Sequence, residues 1–418
     1  MKVYVLNKHS KPLMPCSPRK ARLLLRDKKA KVIKKYPFTI QLLYGSSGYT
    51  QPITLGIDAG SRTIGLSATT KNHELYSAEV ILRNDISDNI TTKKQLRRTR
   101  RNRLRYRKPR FLNRVSTKKK GWLPPSTQHK IDTHKFMVEQ VHKLLPISAI
   151  IVETAAFDIQ KINNPTISGS QYQQGNQHGF WNTREYVLYR DGHKCQLCKG
   201  KSKDKILNVH HIVYRSHGGT DKPSNLITLC STCHSPKNHK RGAILWQWME
   251  KGKKVIRTYK DATFMSIMRW SFYNWLKDNY VDVSMTYGYI TKNVRISNNL
   301  PKEHYIDAYC IAGNINAVRL DGHWIYRKMR RHNRSLYMLN PLKGGRWKKR
   351  QANYYVKGFA LFDKVRYDNV VCFIMGRRAT GYFKLRTIAG GKVHDSASYK
   401  KIEYVGRSGG YMYDYIVH

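Results

Sequence analysis

Apolar residues in this chain come in short blocks that stop at carboxylates. Ile53-Thr54-Leu55-Gly56-Ile57-Asp58-Ala59-Gly60 reads as a buried strand with Asp58 at its end. After Ser61-Arg62-Thr63 comes a second apolar block, Ile64-Gly65-Leu66-Ser67-Ala68-Thr69, so the pattern predicts a β-hairpin with a glycine-containing loop. Ala149-Ile150-Ile151-Val152-Glu153 is another buried-type strand ending in an acid. His304-Tyr305-Ile306-Asp307-Ala308 places a histidine and an aspartate three apart, on one face if helical. A carboxylate at such a strand end loses much of its hydration, which is costly unless donors or a cation compensate.

Other periodicities supply the frame. Met137, Val138, Val141, Leu144 and Leu145 form a helical stripe ended by Pro146, and Phe264, Ile267, Met268, Ser271, Phe272 and Trp275 form a second. Near the start, Val3-Tyr4-Val5-Leu6 predicts a strand, and Ser17-Pro18 predicts an N-cap followed by proline at the first helical position. Lys31-Val32-Ile33 and Phe38-Thr39-Ile40-Gln41-Leu42 read as strands, while Pro12-Leu13-Met14-Pro15 by itself reads as a turn. The last hundred residues alternate in short blocks, among them Lys364-Val365-Arg366-Tyr367 and Tyr382-Phe383-Lys384-Leu385. Gly376, Gly381, Gly390 and Gly391 punctuate them, which predicts a small antiparallel barrel. Residues 160–181 are polar and rich in Gly, Asn and Gln, as expected of a linker into an inserted domain.

Charge changes the picture. The 418 residues carry 78 Lys+Arg against 26 Asp+Glu, a formal charge of +52. Such an excess repels itself in a compact protein and calls for a large polyanion, with structural RNA a better fit than DNA alone. No apolar run approaches the ~20 residues that span a bilayer, and the first six residues are too short for a secretory apolar region. The charge is densest over residues 91–120, which contain no acid. There Arg97, Arg98, Arg100, Arg101, Arg103, Arg105, Arg107 and Arg110 are candidate phosphate contacts.

The candidate chemistry falls into two groups. Asp58, Glu153 and Asp307, converging from three segments, can hold two divalent cations, an arrangement suited to cutting a phosphodiester. The seven cysteines are at 16, 195, 198, 230, 233, 310 and 372. Cys195-x-x-Cys198 and Cys230-x-x-Cys233 have the spacing of a closed, structural zinc site, and an odd total argues against a disulfide framework. Between the pairs lie His210-His211, Gly218-Gly219 and Asn225, and His234 follows Cys233.

These motifs, in this order, resemble those of the IscB family of RNA-guided nucleases over nearly the whole chain. GIDAG with SRTIG, VE after ISAII, and HYIDA look like its three split RuvC motifs. The histidine–cysteine segment looks like its HNH nuclease, and Pro12-Leu13-Met14-Pro15 like its PLMP signature. The resemblance implies an α/β fold: a split RNase H-like (RuvC) domain with an inserted zinc-bearing ββα-metal HNH domain. Around them it implies an Arg-rich bridge helix, a small N-terminal PLMP domain and a C-terminal β-barrel-like domain. The corresponding boundaries are 1–50 for PLMP, 51–90, 121–170 and 246–318 for the RuvC segments, and 91–120 for the bridge helix. HNH would occupy 171–245, and a domain reading a target-adjacent motif 319–418. After Glu153, Thr154-Ala155-Ala156-Phe157 departs from the larger, polar run of relatives.

By the same resemblance, Asp58, Glu153, His304 and Asp307 form a Mg2+-dependent RuvC centre that cuts the displaced strand. His211 is the general base of the HNH centre, Asn225 orients it, and His210 and His234 hold one Mg2+ for cutting the guide-paired strand. Zn2+ on Cys195, Cys198, Cys230 and Cys233 is structural. The expected partners are a guide (omega) RNA and double-stranded DNA with a flanking motif. The protein would be a monomer in a cytoplasmic, nucleoid-associated ribonucleoprotein. Two other readings remain open: a protein-guided homing or restriction-like endonuclease, and a binding scaffold with dead centres. The presence of Asp58, Glu153, Asp307 and His211 counts against the scaffold.

Overall fold

The computed structural model describes residues 2–46, 48–104, 121–154, 177, 179–180, 182–255, 260–330 and 352–418. Its N-terminal module has β1 (Val3–Leu6), β2 (Pro12–Cys16), α1 (Pro18–Arg26), β3 (Ala30–Lys34) and β4 (Thr39–Leu42), in the sheet order β2-β1-β4-β3. Ser17 caps α1 as expected, its Oγ accepting from the Lys20 N–H, with proline at the first position. The segment expected as a turn, Pro12 to Pro15, is instead strand β2. It lies at the sheet edge, where a residue without an N–H removes no ladder bond.

The main sheet begins with β5 (Thr54–Ala59), β6 (Thr63–Thr69) and β7 (Glu74–Ile81), consecutive antiparallel partners. Two helices follow, α2 (Ile86–Leu104) and α3 (Pro125–His142), then β8 (Ala149–Glu153), which pairs parallel to β5. Leu55 and Ile57 alternate with Gly56 and Asp58, so the apolar pair faces one way and the glycine and acid the other. Ile131, Met137, Val138 and Val141 of α3 are buried in the same core as Leu55 and Ile57.

Contacts divide the chain into two units, Phe157–Thr263 and the remainder. The first contains α4 (Thr183–Arg190), a hairpin of β9 (Leu207–His211) and β10 (Leu226–Cys230), and α5 (Ile244–Val255). Leu229, Leu245 and Cys195, Cys230 and Cys233 form its small core.

The chain then passes through α6 (Lys260–Asn279) to β11 (Val283–Thr286), α7 (Gly288–Ser297), α8 (His304–Ile311) and β12 (Gly322–Lys328). Phe264, Met265, Met268, Phe272 and Leu276 of α6 complete the core beneath Leu55 and Ile57, whereas Ile267 is 37% exposed. Strands β13 (Lys364–Tyr367), β14 (Val370–Arg377), β15 (Tyr382–Arg386), β16 (Lys392–Ser398) and β17 (Glu403–Gly406) form a five-stranded antiparallel sheet, and β18 (Tyr411–Val417) ends the chain.

Two expectations for this last region change. Among the described residues the five strands pair in the open order β16-β15-β14-β13-β17 rather than as a closed barrel. β12 and β18 do not belong to that sheet. They extend the main one, whose order is β11-β8-β5-β6-β7-β12-β18, with β12 parallel to β7 and antiparallel to β18. Alternation identifies strands but not the sheet they join, because both sheets present the same period of two.

Candidate active site

The first site is set by how closely α8 approaches the sheet. A Cβ on Gly56 would lie 2.0 Å from the Ala308 carbonyl oxygen, and one on Gly65 only 1.9 Å from that of His304. Neither position tolerates a side chain, so the two glycines let α8 settle directly over β5 and β6. Asp58 pairs with Gly65 across that ladder and with Glu153 across the parallel one. The acids of β5 and β8 therefore stand side by side beneath the helix bearing His304 and Asp307.

His304 Nδ1 lies 2.6 Å from Asp58 Oδ2, and Arg295 Nε lies 2.8 Å from Asp307 Oδ1. Arg295, on α7, escaped the sequence reading because nothing in its spacing links it to Asp307. The carboxyls of Glu153 and Asp307 are both held above the usual range, by burial first and then by neighbouring acids. The bond to Asp58 pushes the His304 pKa up. A divalent cation would relieve the burial and mutual repulsion of these hard oxygen donors.

The second site is a hairpin seen end-on. His210 and His211 are consecutive on β9, opposite Ile227 and Leu226 of β10, so their side chains leave on opposite faces. His210 is 5% exposed and meets His234, with Nε2 of His234 3.2 Å from its Nδ1. A third imidazole, His239, closes the group, and the three ligating atoms lie within 4.8 Å of one another. The sequence reading missed His239; its signal was a second histidine just after His234, at the end of the one-turn helix Pro236–His239. Burial, followed by His234 and His239, brings the His210 pKa down to about 3, so the ring is neutral and able to ligate. Its Nε2 is buried without a partner, which a cation would satisfy. The group contains the expected pair, His210 and His234, and adds His239 to it.

His211 is on the partly open face, where its Nε2 lies 2.7 Å from Asp221 Oδ1. Arg215 holds the same carboxylate oxygen at 2.8 Å. Asn225 is fully buried, and its amide contacts backbone rather than imidazole. Nδ2 donates to the carbonyls of Val213 and Thr220, and Oδ1 accepts from the Val213 N–H. Asn225 thus ties down the loop that follows His211.

The four cysteines form the other convergent group, their sulfurs all within 4.8 Å. Cys198 Sγ and Cys230 Sγ are 3.8 Å apart. That is the edge of a tetrahedron with metal–sulfur bonds of about 2.3 Å, the length typical of zinc thiolates. Ser202 Oγ contacts both sulfurs at 3.3 and 3.1 Å and leads the causes that hold Cys198 down to about 5, toward thiolate.

Of the expected phosphate contacts, Arg97 is exposed on α2. Arg98, Arg100, Arg101 and Arg103 also belong to α2, whereas Arg105, Arg107 and Arg110 lie outside the described residues.

Two family models match the chain: RRXRR protein over residues 3–175 and HNH endonuclease over residues 195–240. No curated protein matches. Among solved structures, Streptococcus thermophilus Cas9 in complex with the AGAA PAM is similar at 14% identity, over 46% of this chain and 26% of that one, with a TM-score of 0.31. The complex with the GGAA PAM gives 14%, 47%, 26% and 0.32. This chain thus spans about a quarter of the Cas9 chains it matches. A foamy viral protease-reverse transcriptase with RNA/DNA hybrid gives 10% identity, 65% and 36% coverage and a TM-score of 0.14. The RRXRR match reaches through β8 and the HNH match encloses the cysteine and histidine groups, and the two together support the likeness to IscB/Cas9-like proteins that combine a RuvC-type and an HNH-type centre.

Proposed function

We infer that the protein is an RNA-guided DNA endonuclease. The observation that carries this reading is that one chain of charge +52 holds two chemically unlike sites, each suited to phosphodiester cleavage. The acids of β5, β8 and α8 serve an RNase H-like RuvC centre for the displaced strand. The imidazoles of the hairpin serve the guide-paired strand. Pairing with RNA supplies sequence choice, while the protein reads backbone shape and a short flanking motif.

In the carboxylate centre, divalent cations when bound activate water and stabilise charge on the phosphate. The side chains of Asp58, Glu153 and Asp307 would hold them. Arg295 restrains Asp307 from the next helix, and His304, bonded to Asp58, stands at the open edge to move a proton. In the hairpin, His210, His234 and His239 would hold one cation. His211 faces the other way, so its Nδ1 is available to accept a proton from water while Asp221 fixes the opposite nitrogen.

The test is strand-resolved cleavage by the purified ribonucleoprotein with and without RNase. Asp58→Ala should remove the displaced-strand cut and leave the guide-paired strand nicked, and His211→Ala should do the reverse. Cleavage that survives complete RNA digestion would instead support a protein-guided endonuclease.

A further inference from the structure

The α7 helix starts against the carboxylate centre, and its first turn is aromatic and exposed. A Cβ on Gly288 would stand 2.9 Å from Glu153 Oε1, so the backbone there touches the acid. Tyr287 and Tyr289 flank that glycine, each one Cα step of about 3.8 Å away. They are 44% and 66% exposed, and their rings lie nearly parallel, centroids 6.0 Å apart and planes 12° from each other. Ile290 and Ile296 continue the patch at 39% and 55% exposure, with Lys292 exposed beside them.

Aromatic side chains usually bury most of their area. Here two lie nearly parallel and offset in water, next to acids that would bind a phosphodiester's metal ions. The two ring planes share one direction, and Tyr289 keeps most of its surface open to solvent. A flat, apolar, sequence-indifferent surface beside a cationic group is what an unpaired nucleobase requires, because every base has a π-face and the lysine takes the phosphate.

We propose that Tyr287 and Tyr289 form a stacking platform for a nucleobase of single-stranded DNA, one nucleotide from the phosphate presented to Glu153. This rests on the RuvC reading of the carboxylate centre. It adds where a base of that displaced strand is held, since a base freed from the duplex can offer its face. The platform positions the strand and takes no part in the chemistry.

The test uses the full ribonucleoprotein with single-stranded oligonucleotides carrying 5-iododeoxyuridine, irradiated with Ca2+ in place of Mg2+ and mapped by mass spectrometry. The expected adduct is on Tyr289 or Tyr287. Tyr289→Ala should lose it and raise the KM for single-strand cutting roughly 5- to 100-fold, while Tyr289→Phe retains both. An abasic oligonucleotide should bind wild type and Tyr289→Ala equally. Adducts confined to other residues would overturn the platform, as would an equal loss for abasic DNA. A dimer abolished by Tyr289→Ala would assign the patch to a second copy and overturn it too. Failure of the parent reading shows separately: an Asp58→Ala protein that still cuts the single strand while keeping the adduct refutes the RuvC assignment and leaves the platform standing.

Discussion

His304 Nδ1 and Asp58 Oδ2 are 2.6 Å apart although 246 residues separate them in the chain. The contact exists because Gly65, opposite Asp58 on the neighbouring strand, leaves room for the His304 carbonyl. A single hydrogen-sized side chain thus determines whether helix and sheet bring their acids together.

Gly65→Ala should therefore act as a positional mutation. The added methyl would overlap backbone, which cannot swing aside as a side chain can, and should cost at least about 1–3 kcal/mol. Displaced-strand cutting should be lost with the guide-paired cut retained. A normal melting temperature with both cuts intact would contradict the packing described for α8.

Cation binding at the carboxylate centre should tighten as pH rises. Glu153 and Asp307 have raised pKa values in the folded chain. Their protonated forms are favoured by folding, so in Mg2+-free buffer this contribution is present below the ordinary carboxylate range. It is lost as pH climbs through the raised values. Mg2+ should reverse that loss and release protons in the same window. Calorimetry in two buffers of different ionisation enthalpy would reveal the release, and identical apparent heats would exclude it.

His239→Ala should weaken the metal bound by the hairpin by more than the roughly 10–100-fold typical of losing a supporting group. His211→Ala should leave metal affinity unchanged while abolishing the same cut. The separation follows from opposite faces of one strand, and metal analysis beside strand-resolved gels reads it. Equal metal loss in both variants would mean that His211 ligates.

Cys198→Ser should remove the structural zinc and unfold the small unit locally, since so little apolar core remains to hold it. Zinc content should fall by one equivalent. Retention of that equivalent would refute the tetrahedral site.

Replacing Arg97, Arg98, Arg100 and Arg101 with Ala should flatten the salt dependence of guide-RNA binding by about two to four units. Filter binding at several salt concentrations measures it against duplex DNA. A change in the DNA slope alone would move α2 from RNA to DNA.

The strand ends at Asp58 and Glu153, the α3 stripe and both cysteine pairs were legible because each obeys a local period or spacing. β7 was not, since Glu74 and Ser77 are polar residues buried inside it. Glu74 is satisfied only in the folded chain, where it accepts from Ser67 on the paired strand and from the distant Leu320 N–H. Arg295 and Asp221 were invisible for a related reason, being partners chosen by folding rather than by spacing. The destination of β12 and β18 likewise depends on pairings that no window of sequence contains.

The pairing of β12 with β18 also has a consequence in time. Residues 322–328 find their outer partner only at 411–417, about 80 residues later. At ~5–20 residues per second on the ribosome, the edge carrying Trp324, Ile325 and Tyr326 waits roughly 4 to 16 s for that partner. An unpaired apolar edge is a template for the wrong strand. Slowed elongation or truncation between 329 and 410 should thus favour aggregation during this protein's synthesis.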